Sequence, residues 1–178
     1  SIAGGSVAVL SVEALTVLGS VTNANFYIGT TLGQDGQLGG TGANADTFGQ
    51  GRIGLFTVTG AMTSSTVRVG INPTDGVFGN GNDTLIGGTA SSIGGIIIGG
   101  ALSADTRFIA GAFPTNYLLN LNLLPTAGDP HFVSSFEGPS LTAALQNDTG
   151  ASGTDGLTND PSITGSATDP NGIATFLA

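Results

Sequence analysis

Apolar and polar positions alternate over several short segments of this chain, as they do in β-strands. The first such segment is marked by Val7, Val9, Val12, Leu15 and Val17, which alternate imperfectly with small or polar residues. A second segment, 53–59, has apolar side chains on both faces, as expected for a strand that contacts other layers on both sides. Residues 93–98 form an apolar run rich in β-branched side chains, which predicts a buried strand.

Helix signals are weak throughout, because a glycine costs about 1 kcal/mol in a helix interior and glycine occurs every few residues. The best helix candidate is a turn or two over 140–146, directly after Pro139. A strand fits this segment equally well.

The strand pattern repeats about every 40 residues, which is typical of stacked structural units. Three copies occupy 15–29, 56–70 and 96–111. Each copy is predicted to form two short strands followed by a loop of similar length. Small residues recur where the chain is expected to turn a corner, and we expect glycine there for its backbone freedom: Gly19, Gly60, Gly100, Gly29, Gly70 and Gly111.

This organisation predicts an all-β fold, a parallel β-solenoid of about three repeats of ~40 residues. The alternative is an antiparallel β-sandwich with long Gly-rich loops. The repeat is lost after 111, and the apolar segment 117–124 is expected to cap the stack. Since the composition shifts again near 140, we place a Gly-rich β repeat domain at 1–139 and a second unit at 140–178.

Composition narrows the possible partners. The 178 residues include 31 glycines, no lysine, three arginines and twelve acids, giving a net charge of -9. The lack of a basic patch argues against nucleic acid and against an anionic membrane surface. The acids suit divalent cations such as calcium, and the absence of cysteine excludes disulfides and thiolate metal sites. No apolar run approaches the ~20 residues needed to span a bilayer.

One Gly-rich loop carries a recognisable motif. The sequence Gly-Asn-Gly-Asn-Asp-Thr-Leu-Ile-Gly-Gly at 79–88 resembles the nonapeptide of RTX calcium-binding proteins. The resemblance implies a calcium site; the candidate ligands are Asp75, Asn80, Asn82 and Asp83, with Asp35 and Asp46 in the preceding loop. Asn80 replaces a motif glycine and the motif occurs once, so Asp75 or Asp46 would have to supply the missing oxygens. The alternative is a turn without metal.

A second motif lies near the C-terminal end. Residues 148–165 resemble the opening of the tandem Ig-like repeats of large bacterial adhesins, which implies a partial Ig-like segment within 140–178. The resemblance implies calcium ligands at this junction, for which the candidates are Asp148, Asp155, Asn159, Asp160 and Asp169. The alternative is a polar linker. An Ig-like domain needs about 100 residues, so we expect a hairpin of 162–168 and 173–177 whose strands complete a sheet on a neighbouring subunit.

Catalysis has little support in the sequence. His131 is the single histidine, and no G-x-S-x-G elbow accompanies it. Asp35, Asp75 and Asp105 could face a groove, as the acids of polysaccharide-degrading solenoids would, but their turn-rich surroundings favour metal or solvent. The aromatic residues are expected in the core. We therefore expect a protein that is not an enzyme.

The sequence as a whole favours an extracellular bacterial structural protein, processed or excised from a longer chain. It would be a subunit of a surface fibre, layer or large adhesin that self-associates into a homopolymer or tandem array, with calcium as a stiffening ion. A glycan-binding adhesin module is the first alternative, and a polysaccharide-degrading solenoid is the second.

Overall fold

The chain divides into two compact units, Ser1–Phe136 and Glu137–Ala178, and each is considered by itself. The structure, a computed structural model, describes residues 1–113, 129–134, 140–145 and 162–168. None of the helical segments in these residues has the length and hydrophobicity of a transmembrane span.

The described residues form short strands and two 3₁₀ turns, so the all-β prediction is confirmed. The strands of the first unit are β1 (Ile2–Ala3), β2 (Ser6–Val9), β3 (Ser11–Val17), β4 (Val21–Thr22), β5 (Asn25–Ile28), β6 (Thr30–Thr31), β7 (Thr47–Phe48), β8 (Arg52–Val58), β9 (Met62–Thr63), β10 (Thr66–Val69), β11 (Ile71–Asn72), β12 (Thr84–Leu85), β13 (Ser92–Ile93), β14 (Ile96–Ile98), β15 (Arg107–Ile109) and β16 (Phe132–Val133). The 3₁₀ turns are η1 (Gly42–Asn44) and η2 (Gly88–Ala90). The second unit contains β17 (Ser140–Leu145) and β18 (Ile163–Thr168).

Three parallel sheets connect the repeats. Sheet A has the order β1-β4-β9, and sheet B has the order β2-β5-β10-β15-β16. In sheet C, β3 pairs with one side of β8, while β13 and β14 pair with the other. Because every pair in these sheets is parallel, the repeats are not joined by the antiparallel pairing that a β-sandwich alternative requires.

Strand register explains the repeat seen in the sequence. Phe26 pairs with Val67, and Val67 pairs with Phe108, so equivalent positions of successive copies lie side by side. We call one set of C, A and B segments a rung: rung 1 is 11–28, rung 2 is 52–69 and rung 3 is 92–109. The strands β1 and β2 precede rung 1, and Ala112 and β16 continue beyond rung 3.

The core lies between the three sheets and is built from columns of stacked side chains. In sheet B one column runs Val7, Phe26, Val67, Phe108 and Phe132. Phe56 of sheet C lies against this column, with its ring centroid 5.3 Å from Phe26 and 6.0 Å from Phe108, both edge to face. Phe26, Phe56 and Phe108 are fully buried. Such aromatic pairs contribute about 0.5–1.5 kcal/mol each beyond their buried area.

Two excursions interrupt the rungs at the same corner, between sheet B and sheet C. Insertion 1 (29–51) follows β5 and contains the antiparallel pair β6 and β7. Insertion 2 (70–91) follows β10 and contains the antiparallel pair β11 and β12. By contrast, Leu10 alone connects β2 to β3. The period of about 40 residues is therefore half strand segments and half insertion.

The corner glycines are required for two different reasons. Gly19, Gly29 and Gly70 have φ values of 123°, 89° and 69°, so the expected backbone freedom is confirmed there. Gly100 has no positive φ, but a Cβ at this position would lie 2.7 Å from the backbone nitrogen of Ala61 in the neighbouring rung.

Gly60 and Gly111 resemble Gly100 in this respect. Neither has a positive φ, and an added Cβ would meet Ser20 Oγ at 2.5 Å or the backbone oxygen of Gly88, respectively. At these three corners the expected reason, left-handed backbone, was wrong, and close approach of neighbouring backbones replaces it.

Four further segments depart from expectation or fall outside the described residues. The run 93–98 divides into β13 and β14, and Ile96 and Ile97 are only half-buried. The helix candidate over 140–146 contains a strand, β17, and β18 pairs antiparallel with β17. The cap segment 117–124 and the hairpin partner 173–177 lie outside the described residues.

We expect Gly100→Ala to lower the free energy of unfolding by roughly 1–3 kcal/mol, because the added methyl overlaps the backbone of the next rung. Gly49→Ala is the matched control, since its Cβ would meet only ordinary contact at 3.9 Å and its φ is not positive. Urea unfolding of both variants is the measurement. Equal stability of the two variants would contradict close approach as the constraint at Gly100.

Candidate functional site

The two insertions place acids at matching points, which makes them the candidate site. In insertion 1, Asp35 lies near the start and Asp46 directly before β7. In insertion 2, Asp75 lies near the start and Asp83 directly before β12. In both insertions the antiparallel strand pair brings the ends of one loop together. The early acid and the later acid therefore lie in the same loop.

The early acid of each insertion organises a turn. Asp35 Oδ1 accepts a hydrogen bond from the Gln37 backbone N–H at 3.1 Å, and Asp75 Oδ1 accepts one from Val77 at 2.9 Å. This is the hydrogen bond of an Asx turn. Asn80 Nδ2 also donates to Asp75 Oδ2 at 2.7 Å. The Val77 N–H is the main cause that holds the pKa of Asp75 below its ordinary value.

The later acid of each insertion joins distant parts of its loop. Asp46 accepts hydrogen bonds from the backbone N–H groups of Gly33 at 3.0 Å and Gly39 at 2.6 Å. Asp83 Oδ2 accepts one from Gly79 at 2.8 Å. These carboxylates are thus internal acceptors that fix the path of the loop.

Asp83 differs from the other three acids in its burial. Asp83 is only 5% exposed, and its Oδ1 has no hydrogen-bond partner among the described residues. Burial raises the pKa of Asp83, while the Gly79 N–H and Arg68 lower it. A buried carboxylate oxygen without a hydrogen-bond donor lowers stability. Asp83 is therefore the acid of this loop that would gain most from a bound cation or an added donor.

Beside Asp83 lies a cluster on the outer face of sheet B. Tyr27 and Arg68 point away from the core, because their strand neighbours Phe26 and Val67 point into it. The ring of Phe78 stacks on Tyr27 at 4.8 Å, and the Arg68 guanidinium lies 5.0 Å from the centroid of Phe78. We call Tyr27, Phe48, Arg68, Phe78 and Asp83 the Arg68 cluster.

The Arg68 cluster connects both insertions to sheet B. Phe48 of insertion 1 contacts Phe78 of insertion 2 edge to face at 6.1 Å. Arg68 Nη1 donates to Asn25 Oδ1 at 3.0 Å, but its buried Nε has no partner among the described residues. Burial lowers the pKa of Arg68, and attraction to Tyr27 and Asp83 opposes this change. Arg68 and Asp83 therefore attract each other without a direct hydrogen bond.

This cluster was not predicted from the sequence, although a signal was present. Phe48 and Phe78 were expected in the core, but both belong to the insertions that cover the outer face of sheet B. Tyr27 and Arg68 sit at matching repeat positions, one residue out of phase with Phe26 and Val67. That phase is what distinguishes an outer-face position from a core position in a strand.

The expected calcium ligands are only partly brought together. Asp75, Asn80, Asn82 and Asp83 share insertion 2, whereas Asp35 and Asp46 belong to insertion 1. In the described part of the chain, no group of three or more acidic or histidine side chains has the arrangement of a metal site. Asp148, Asp155, Asn159, Asp160 and Asp169 lie outside the described residues. Calcium binding stays a prediction.

Two of the residues weighed for catalysis, His131 and Asp105, lie outside the insertions. His131 Nδ1 is 2.8 Å from Asp129 Oδ1, and its Nε2 has no hydrogen-bond partner among the described residues. Asp105 accepts hydrogen bonds from Ser64 and Ser103, 2.6 and 2.5 Å away, at a corner of the rungs. Asp105 is thus held by serines of the rungs, whereas Asp35 and Asp75 accept backbone N–H groups within the two insertions.

No protein-family model, curated protein or solved structure matches this chain.

We expect the two acids of insertion 2 to affect stability with opposite pH dependence. The pKa of Asp83 is raised, so its contribution to the free energy of unfolding falls as the pH rises from about 3.9 through the folded pKa. The pKa of Asp75 is lowered, so its contribution is present above about 3.9 and is lost as the pH falls through the folded pKa.

Urea unfolding between about pH 3 and pH 7 tests this for Asp83→Asn and Asp75→Asn. Relative to the unchanged chain, the free energy of unfolding of Asp83→Asn should rise as the pH rises, and that of Asp75→Asn should fall. Each asparagine keeps an oxygen that can accept the backbone hydrogen bond. The same sign of pH dependence in both variants would contradict the assignment.

Proposed function

We propose that this chain is a structural building block of an extracellular bacterial surface assembly, such as a fibre, layer or large adhesin. Its rungs would form a parallel β-solenoid and its copies would associate through β-strand contacts. The observation that carries the proposal is the register of the sheets, in which equivalent residues of successive rungs pair directly. Such a ladder can be extended by any further rung of the same pattern.

The composition supports a mechanical role. Stability rests on strand ladders and stacked columns, since the chain has no cysteine for disulfides. The chain has three arginines, and Arg52 and Arg68 hydrogen-bond to side chains of the neighbouring rung, Arg52 to Glu13 at 3.1 Å and Arg68 to Asn25 at 3.0 Å. Arg52 and Arg68 thus connect neighbouring rungs along the direction in which a fibre would carry load.

The second unit supports the adhesin-like part of the proposal. Within the described residues of this unit, β17 and β18 pair only with each other. A two-stranded ribbon is marginally stable by itself, so it gains from further strands. The resemblance of 148–165 to adhesin Ig-like repeats would place this ribbon at a junction between successive units of the assembly.

Insertion 2 is the proposed calcium site of the first unit. Asp83 offers an unpartnered carboxylate oxygen, and the exposed side chains of Asp75, Asn80 and Asn82 belong to the same short loop. Oxygen ligands of this kind are those that calcium prefers. A bound ion would offset the burial cost of the Asp83 charge and stiffen the insertion against sheet B.

Assembly is tested by electron microscopy and sedimentation of the purified full chain over a range of concentrations. We expect filaments or ordered oligomers whose proportion rises with concentration and which persist at moderate salt, since the proposed contacts are hydrogen-bonded and apolar. A monodisperse monomer at every concentration would contradict the proposal.

Calcium is tested by thermal unfolding with added calcium and with chelator. Saturation at about 100 times the dissociation constant should add roughly 2.7 kcal/mol to the free energy of unfolding. Asp83→Asn should remove most of this gain if insertion 2 is the site, whereas Asp35→Asn in insertion 1 should preserve it. An equal gain in all three proteins would contradict a site at Asp83.

A further inference from the structure

The first strands of the chain leave one end of the stack open. In the described residues, β1 pairs only with β4, β2 only with β5, and β3 only with β8. Each of these strands therefore has one free edge, and the free edge of β3 is seven residues long. Half of the backbone N–H and C=O groups of an edge strand point away from its partner and remain available.

The inward side chains of these edge strands are only partly buried. The side chains that pair with them in the next rung are fully buried. Val12 and Leu15 of β3 are half-buried, while their register partners Ile53 and Phe56 are both 0% exposed. The same holds for three more pairs: Ile2 with Val21, Val7 with Phe26, and Val9 with Ile28. Addition of one rung would thus be expected to complete the burial of these five side chains.

The opposite end of the stack carries the residues that would fill these positions. Phe132 continues the column of Val7 in sheet B, and Leu102 continues the column of Ile2 in sheet A. Phe113 follows Ala112, which pairs with Ser92, and so continues the column of Val12 in sheet C. All three side chains are partly buried against the core.

The sizes of these side chains also match. In the sheet B column, Val67 lies between Phe26 and Phe108, whereas Phe108 and Phe132 are direct neighbours. Placing Phe132 of one copy beside Val7 of the next would put Val7 between two phenylalanines, Phe132 and Phe26, as Val67 already is. A large residue would thus face a smaller one at this point of the contact, which favours packing without voids.

The free edge also lacks the usual protection against association. Lysine or proline in an edge strand commonly prevents pairing with another chain. The strands β1, β2 and β3 contain neither residue. Their single charged side chain, Glu13, is in an ion pair with Arg52 at 3.1 Å. Leu10 and Leu18, which flank β3, are 62% and 78% exposed.

We infer that the free edge of β1, β2 and β3 binds the rung 3 end of a second copy of this chain, head to tail, with β2 continuing sheet B beside β16. The inference rests on the proposed assembly and names its surface and its partner. Because the two contacting surfaces differ and the paired strands stack along one axis, copies would add head to tail along that axis.

Cysteine cross-linking tests the contact, since the chain has no cysteine of its own. In the inferred register Ala8 pairs with Val133 of the next copy, on the face away from the core. Directly paired strand residues have Cα atoms about 5 Å apart, within disulfide range. A mixture of Ala8→Cys and Val133→Cys chains should form disulfide-linked dimers at roughly tenfold higher yield than either variant by itself.

The controls separate this inference from the proposed function. Cross-links in a single variant would indicate head-to-head or tail-to-tail contact and overturn the inference. Filaments without cross-links in the mixture would also overturn it, while leaving the proposed assembly intact. The pair Val77→Cys and Val133→Cys should not cross-link, because Val77 is exposed at the tip of insertion 2. Monomers at every concentration would overturn both.

Two further variants locate the surface. Leu10→Lys with Leu18→Lys changes only exposed side chains, and it should weaken association by roughly tenfold, whereas Val77→Lys should not. Deletion of residues 169–178 should leave the cross-link between Ala8→Cys and Val133→Cys unchanged. Loss of the cross-link on this deletion would instead assign the contact to the C-terminal strands and overturn the inference.

Discussion

The first unit depends on one constraint: inward side chains are buried most completely where strands pair on both sides of them. Phe56 is fully buried because β3 and β14 flank β8, whereas Leu15 of β3 has a neighbour on one side and is half-buried. Hydrogen-bond register and core packing are therefore one requirement, because a shift of one residue would turn each column out of the core. The close backbone approach at Gly100 follows from the same stacking.

The Arg68 cluster shows how the insertions are tied to this ladder. The outer face of sheet B would expose Tyr27 and Arg68, and Phe78 covers both from insertion 2. Asp46 and Asp83 give each loop a fixed path through backbone N–H groups. Acids in a Gly-rich loop can thus serve as acceptors for backbone N–H groups, and the unpartnered Oδ1 of Asp83 is the feature that favours a cation there.

Much of the fold could be predicted from the sequence, because it follows from periodicity. Alternation at Val12, Leu15 and Val17 indicated strands, and the spacing of the copies gave the partners of Phe26 and Val67. The middle segment of a rung, such as Met62–Thr63 in rung 2, is too short to leave a periodic signal. The contact of Phe78 with Tyr27 joins distant segments, so local pattern could not reveal it. The left-handed backbone expected at Gly60, Gly100 and Gly111 was wrong, because glycine identity does not distinguish a positive φ from close approach.

The corner between sheets B and C has a consequence for how such a chain can diversify. One residue, Leu10, turns this corner between β2 and β3, and more than twenty residues turn it after β5 and after β10. Doubling a loop costs only about 0.6 kcal/mol in closure entropy, so the length of this connection is nearly independent of the ladder beside it. The corner is thus a natural acceptor for grafted peptides or small domains, which would be displayed at a spacing set by the strand separation of about 4.8 Å.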